Sequence, residues 1–263
     1  MNTRQHAPVK HTAFFRFYEE LNDFLPEELH KKPFPIKFIG KPSIKDAIES
    51  IGVPHTEIDL IIVNTESVGF DYRLHGNEYV SVYPVFESLD ITSLVHLRPK
   101  PIRVTKFVVD VNLGKLARKL RLLGFDSLFK NNFTDDEIIK LSLQEKRVIL
   151  TRDKGILKHN VVTHGYWIRN DDPKLQLSEV VSRFQMQNSL APFTRCSTCN
   201  ELLHQVDKAQ IQDRLPLKTR LFCKSFMECG GCGKIYWRGS HYKQICKMIE
   251  VLKRKRSGAQ HDI

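Results

Sequence analysis

The spacing of apolar positions changes character twice along this chain, and each regime predicts different elements. Over residues 12–90 a period of two dominates. Residues 13–18 are aromatic-rich and alternate, which predicts a strand. Ile44, Ala47, Ile48 and Ile51 then share one helix face behind Ser43, with Asp46 in capping-box position and Gly52 as the stop. Residues 59–63 read as a strand, Asn64-Thr65-Glu66 as a turn, and residues 79–83 as a last strand. The order β, β, α, β, β predicts a β-grasp fold, with His55 and His75 as loop or surface residues.

From Lys106 the pattern becomes strand, helix, strand, helix. Phe107-Val108-Val109 is a short buried strand ending at Asp110. Leu113, Leu116, Ala117, Leu120 and Leu123 repeat at helical spacing up to Gly124. Residues 125–129, 147–151 and 166–168 read as further strands. Thr134 with Glu137 forms a capping box, and residues 174–187 form a last helix. Such alternation predicts an α/β fold with a parallel sheet between helix layers. The expected organisation is a β-grasp domain over 12–91 and a Pro-containing linker over 92–104. An α/β domain then covers 105–190, a cysteine-bearing piece 191–247, and a basic tail 248–263.

Composition narrows the classes. The 263 residues are 41% hydrophobic and 27% charged, enough for real cores. No apolar run reaches the roughly 18 residues of a membrane helix, and residues 1–10 have no apolar signal core. The expectation is a cytoplasmic protein with no membrane partner. The net charge of +11 is uneven: residues 1–95 balance to −5 and residues 96–263 to +16. A basic body behind an acidic head points to a polyanion for the body, unless the charge is only a solvated surface.

The acids of the middle piece fall where parallel sheets bind ligands, beyond the carboxyl ends of strands. Asp110 follows the first strand, Asp153 the third, and Asp171 and Asp172 the fourth; Asp135 and Asp136 open a helix. Carboxylates converging there favour a hard divalent ion, Mg²⁺ or Mn²⁺. Each acid also has a plainer reading. Asp135 and Asp136 suit the positive end of a helix dipole, and Asp171-Asp172-Pro173 suits a turn. Asp153 stands between Arg152 and Lys154, either of which can pair with it. Asp110 has no adjacent Gly or Pro to make it a turn residue. Lys115, Arg118, Lys119 and Arg121 lie mostly off the apolar face of their helix. They form either a solvated face or, with Arg152, a basic rim for a phosphate backbone.

All six cysteines follow residue 195, and in a reducing compartment such clusters read as metal ligands. Cys196-x-x-Cys199 and Cys229-x-x-Cys232, separated by 29 residues, predict a closed, structural Zn²⁺ site in a zinc ribbon. Cys223 and Cys246 are expected as buried free thiols; His204 and His241 are alternative ligands. After the second knuckle, Trp237, Arg238 and His241 either stack on bases and hold phosphates, or Trp237 packs beneath the ribbon as its core.

Three stretches together resemble one known architecture: residues 106–110 (KFVVD), residues 116–124 (LARKLRLLG) and residues 148–153 (VILTRD), followed by the two knuckles and YWRGSH. They are similar to the PIN-like RNase domain named after the C-terminal region of the Mut-seven exonuclease. Residues 13–90, with Val82-Tyr83-Pro84-Val85-Phe86, resemble the ubiquitin-like module that precedes it in bacteria. The resemblance implies a PIN-type sheet, divalent-metal-dependent RNA cleavage, and metal-binding acids at Asp110, Asp135 or Asp136, and Asp153. The RNA implied is tRNA, rRNA or mRNA without distinction. The module is similar to sulfur carriers but runs through Glu87-Ser88-Leu89-Asp90 instead of a free Gly-Gly end. A docking role toward a protein partner is the implied alternative. The non-enzymatic alternative is an RNA- or ribosome-binding adaptor built on the ribbon and the β-grasp domain.

Overall fold

The computed structural model describes residues 10–84 and 105–254, which group by contacts into two bodies. The first holds residues 10–84 and Asp153–Trp167; the second holds residues 105–152 and 168–254. The expected linker, residues 87–90 and the end of the basic tail lie outside the described residues.

In the first body, β1 (Lys10–Phe17), β2 (Phe34–Ile39), α1 (Ile44–Ile51), β3 (Leu60–Val63), β4 (Glu66–Ser67) and β5 (Tyr79–Tyr83) follow in that order. They form one mixed sheet ordered β2-β1-β5-β3-β4. Its central pair, β1 and β5, is parallel, and the other pairs are antiparallel. Period-two burial decides the register: Ala13, Phe15 and Phe17 point inward with Val80 and Val82. They pack with Ile44, Ala47 and Ile48 of α1 in one core. The Ser43 hydroxyl accepts from the Asp46 N–H at 3.1 Å, and Gly52 ends the helix at φ 120°. The predicted elements stand, with β4 added after the predicted turn. His55 is a correction: it is not a surface residue but 9% exposed.

The second body opens with β6 (Phe107–Val109), α2 (Gly114–Leu122), β7 (Ser127–Leu128), α3 (Asp135–Glu145) and β8 (Val148–Thr151). The chain then passes through α4 (Lys154–Leu157) and β9 (Gly165–Trp167), which group with the first body, before entering α5 (Pro173–Arg183). Within the second body β6 pairs in parallel with both β7 and β8. Every residue of β6 and β8 is buried, as expected of parallel strands covered on both faces. The predicted strand over 125–129 shrinks to two residues. Phe125 belongs instead to the cap of α2, where its N–H bonds to Leu120 O at 3.0 Å.

The ribbon follows: β10 (Leu203–Val206), α6 (Lys208–Ile211), α7 (Leu217–Phe222), β11 (Phe226–Cys229), β12 (Ile235–Trp237), then α8 (Ser240–Arg254). Its antiparallel sheet is ordered β10-β11-β12. The ribbon's core is Ile211, Leu215 and Phe226, with Val206, Cys223 and Ile235 against it. Trp237 does not form that core; at 38% exposure its ring meets solvent.

Gly124 shows how tightly the second body is built. The Phe125 bond to Leu120 O and the Gly124 N–H to Arg121 O at 2.9 Å form a Schellman cap, with Gly124 at φ 93°. Ala191 and Phe193 cross this cap, donating to Leu123 O and Leu122 O at 2.9 and 3.1 Å. A Cβ on Gly124 would stand 2.1 Å from the Ala191 carbonyl oxygen. Gly124→Ala should therefore destabilise the body by about 2–4 kcal/mol, combining positive φ with overpacking. A urea midpoint equal to that of the unsubstituted chain would contradict this.

Candidate active site and metal centre

Asp110 sits where the buried strand β6 ends and is itself only 6% exposed. Its N–H still pairs with Leu150 O at 3.0 Å, so the sheet holds its backbone. One carboxylate oxygen accepts from the Val111 N–H at 2.6 Å and the other from the Thr151 hydroxyl at 2.7 Å. Asp110 thus caps the tight turn at Val111–Leu113 as well. Among the described residues no cationic side chain pairs with it. A buried carboxylate with two neutral donors and no cation is an electrostatic opening for one.

A cavity of 420 Å³ opens just beyond Asp110. Its wall is the segment Val111–Lys115, with Arg118, Phe129, Asn131, Asp171, Pro173 and Gln176. Lys115 and Arg118 are exposed on α2, so two of the predicted basic residues face this space. Asn112, Asn131 and Gln176 also line it, and nothing in their sequence context signals that.

The remaining acids are placed singly. Asp135 and Asp136 are exposed in the first turn of α3, where Thr134 and Glu137 complete the capping box. Asp172 caps α5, accepting from Lys174 N–H at 2.7 Å and Leu175 N–H at 3.2 Å, so the Asp-Pro pair opens a helix where a turn was expected. These bonds hold its carboxyl below the ordinary value, helped by Lys174 and Lys119. Asp171 pairs with Arg152, which also donates to Asn170 O at 3.1 Å. Asp153 is exposed and caps α4, accepting from Gly155 N–H at 2.6 Å. Among the described residues, no group of three acids or histidines gathers closely enough to form a closed ion cage; the cysteines do.

The ligand sulfurs of Cys196, Cys199, Cys229 and Cys232 all lie within 4.8 Å of one another. Cys196 and Cys232 are 3.6 Å apart and Cys199 and Cys229 3.2 Å. A tetrahedral Zn–S₄ centre spaces its sulfurs by about 3.8 Å, so the four thiols fit a structural zinc. His204, exposed, is outside this group, so among the described residues the set is all sulfur. Burial raises the Cys196 thiol, but the Tyr236 hydroxyl at 3.1 Å and backbone donors outweigh this and bring it to about 6. Burial pushes Cys199 up to about 12. Cys223 and Cys246 are half-buried and not fully enclosed as expected.

The first knuckle is fastened to the parallel sheet by polar groups. Arg121 is 2% exposed, and its guanidinium donates to Ser127 O and Thr198 O, both at 2.8 Å. This corrects its assignment to the basic rim: a side chain buried among carbonyls is out of reach of an RNA backbone. Burial lowers its pKa, while the neighbouring Cys196 and Cys199 thiols raise it, as negative sulfurs beside a cation should. Asn200, at φ 76°, accepts from Ser127 N–H at 2.9 Å and donates to Asp126 at 2.8 Å. Asp126 also takes a 2.7 Å bond from Arg147. On the ribbon's outer side, Arg238 lies 5.4 Å from the Tyr242 ring centre. The His241 side chain lies outside the described part.

Residues 105–249 match the family model described as the Mut7-C RNAse domain. The chain belongs to this family. Residues 10–90 match the Mut7-C ubiquitin model, which accounts for the first body's sheet. No curated protein and no solved structure matches the chain. The Cys₄ centre, at residues 196–232, lies within the Mut7-C match. No helix among the described residues is long and apolar enough to cross a membrane. RNA is the substrate that the family points to.

Two outcomes follow for the Mut7-C body. Elemental analysis should find one zinc per chain, and Cys199→Ala should abolish it; metal retained at full occupancy would refute the site. Burial raises the Asp126 carboxyl, but bonds from Arg147 and Asn200 prevail and hold it below its ordinary 3.8. A carboxyl depressed on folding stabilises at pH above its unfolded value and loses that contribution as pH falls. The stability gap between the unsubstituted chain and Asp126→Asn should therefore narrow as pH falls below 3.8 toward the lower folded value. A gap independent of pH would exclude this role.

Proposed function

We propose that this Mut7-C protein is a cytoplasmic, metal-dependent ribonuclease that hydrolyses phosphodiester bonds at the Asp110 end of β6. The observation that carries the reading is Asp110 itself, buried, without a cationic partner among the described residues, beside a cavity walled by Lys115 and Arg118. The donors on offer there are carboxylate oxygens, the ligand type of Mg²⁺ or Mn²⁺. Mg²⁺ is commonly held by one or two carboxylates with water and substrate phosphate, so a closed cage of acids is not required. When bound, such an ion supplies an activated water and steadies charge on the phosphate.

The chain's own residues do the rest. Asp110 is the fixed anchor, because the sheet and Thr151 leave its carboxylate one orientation. Asp153, two residues beyond β8, and Asp136, in the first turn of α3 with Asp135 beside it, are the further acids. Lys115 and Arg118 draw the phosphate backbone to the cavity mouth, and Lys119, half-buried on the same helix, adds to that field. Arg152, already paired with Asp171, orders the wall more than it binds RNA. On the ribbon, exposed Trp237 offers a ring for base stacking with Arg238 beside it. His241 is retained only as the neighbour of these two in sequence.

The test is Asp110→Asn assayed on end-labelled single-stranded RNA with Mn²⁺ or EDTA. Mn²⁺-dependent cleavage should fall at least about 100-fold, more than loss of an outer-shell partner costs, with the fold intact. Undiminished cleavage by the variant would discard the site. RNA bound equally with and without Mn²⁺ and never shortened would instead establish the adaptor.

A further inference from the structure

Residues 153–167 lie inside the Mut7-C match, yet they pack within the ubiquitin-like body. Trp167 rests against that body's hydrophobic core, with its ring centre 4.8 Å from that of Phe24. The Trp167 N–H donates to Glu57 Oε1 at 2.7 Å, and Glu57 is fully buried. His55 bridges in the same way: Nδ1 is 2.6 Å from Glu49 Oε1, and Nε2 is 2.8 Å from the Val162 carbonyl. Lys158 donates to the Glu49 carbonyl at 3.0 Å, and the Lys154 ammonium stands 4.1 Å from the Trp167 ring centre.

These contacts have a shared logic. A ubiquitin-like domain binding a separate protein would present an open surface. Here a buried carboxylate and a buried imidazole find hydrogen-bond partners in one specific backbone, and removing that backbone takes a hydrogen bond from each. Because the segment belongs to the same chain, binding costs no encounter, and its effective concentration is high.

We propose that the docking partner of the ubiquitin-like domain is this chain's own segment Asp153–Trp167, so that the domain's binding surface is engaged from within the same chain. His55, Glu57 and Phe24 are then residues of the grip, acting on the segment and not on RNA.

Hydrogen exchange of the full chain, read by mass spectrometry, tests the grip. In His55→Ala, amides of residues 154–167 should exchange at least about ten-fold faster, while those of β3 and β5 keep their protection. Unchanged exchange over 154–167 overturns the proposal. If β3 and β5 also lose protection, Lys158→Ala decides instead, because it leaves the ubiquitin-like side chains untouched. The same local acceleration is expected there, and its absence is fatal. An unsubstituted chain that cleaves no RNA defeats the nuclease reading alone, and exchange still judges the grip.

Discussion

The second body depends on a buried polar knot between a two-residue strand and a zinc knuckle. β7 is too short to cover its own edge, and an unpaired edge of a parallel sheet leaves backbone donors open. Asn200 answers this by accepting from the Ser127 N–H, and Arg121 answers it on the carbonyl side of the same residue. Neither bond is cheap to arrange. Each polar side chain is almost fully buried, so each needs its full set of partners, and Asp126, Arg147 and Thr198 supply them. The cysteine centre therefore does more than close the ribbon. Four thiolates around one zinc carry net negative charge, and buried Arg121 is a cation placed to meet it.

That knot redistributes the charge of the chain. The basic excess after residue 95 looks uniform along the sequence, but its members have separate occupations. Arg121 and Arg147 are interior and balanced by carbonyls and carboxylates. Arg152 is held by Asp171, whereas Lys115 and Arg118 remain exposed at the cavity. Charges of the last kind are the ones open to a polyanion in solution. Charge counting from sequence overstates their number, because it cannot distinguish a guanidinium that faces water from one that replaces water.

The elements are largely legible in the sequence because periodicity reports burial, and burial is what makes an element. β6 and β8 read as continuous apolar runs because both faces are covered, and α1 and α2 show their stripes. The Thr134 capping box and the Gly124 stop rest on local chemistry and are equally plain. What escapes are features decided by distant contacts. β7 is shorter than its apolar run suggests, since Phe125 is apolar for the sake of a helix cap, not a strand. Trp237 offers itself as the ribbon core by size, but Phe226 and the helical spacer residues Ile211 and Leu215 fill that place. Arg121 resembles its neighbours Arg118 and Lys119 in every local respect. Its burial follows from a knuckle far onward in the chain, and no helical-wheel argument contains that, because any partner beyond the next few turns is invisible to periodicity.

Asp110 illustrates the opposite limit, where sequence and geometry agree for different reasons. In sequence it stands out as an acid directly after apolar residues. In three dimensions its prominence is energetic: the strand that makes it conspicuous also carries it out of water, and desolvation is what makes a carboxylate seek a cation. Thr151 and Val111 offset part of that cost with neutral hydrogen bonds, enough to fix the group without cancelling its charge. Asp136 and Asp153, by contrast, are exposed and cost little where they stand. A desolvated carboxylate gains more from a nearby cation than a solvated one does, so Asp110 differs from these two acids in what its position costs and in what a cation beside it would return.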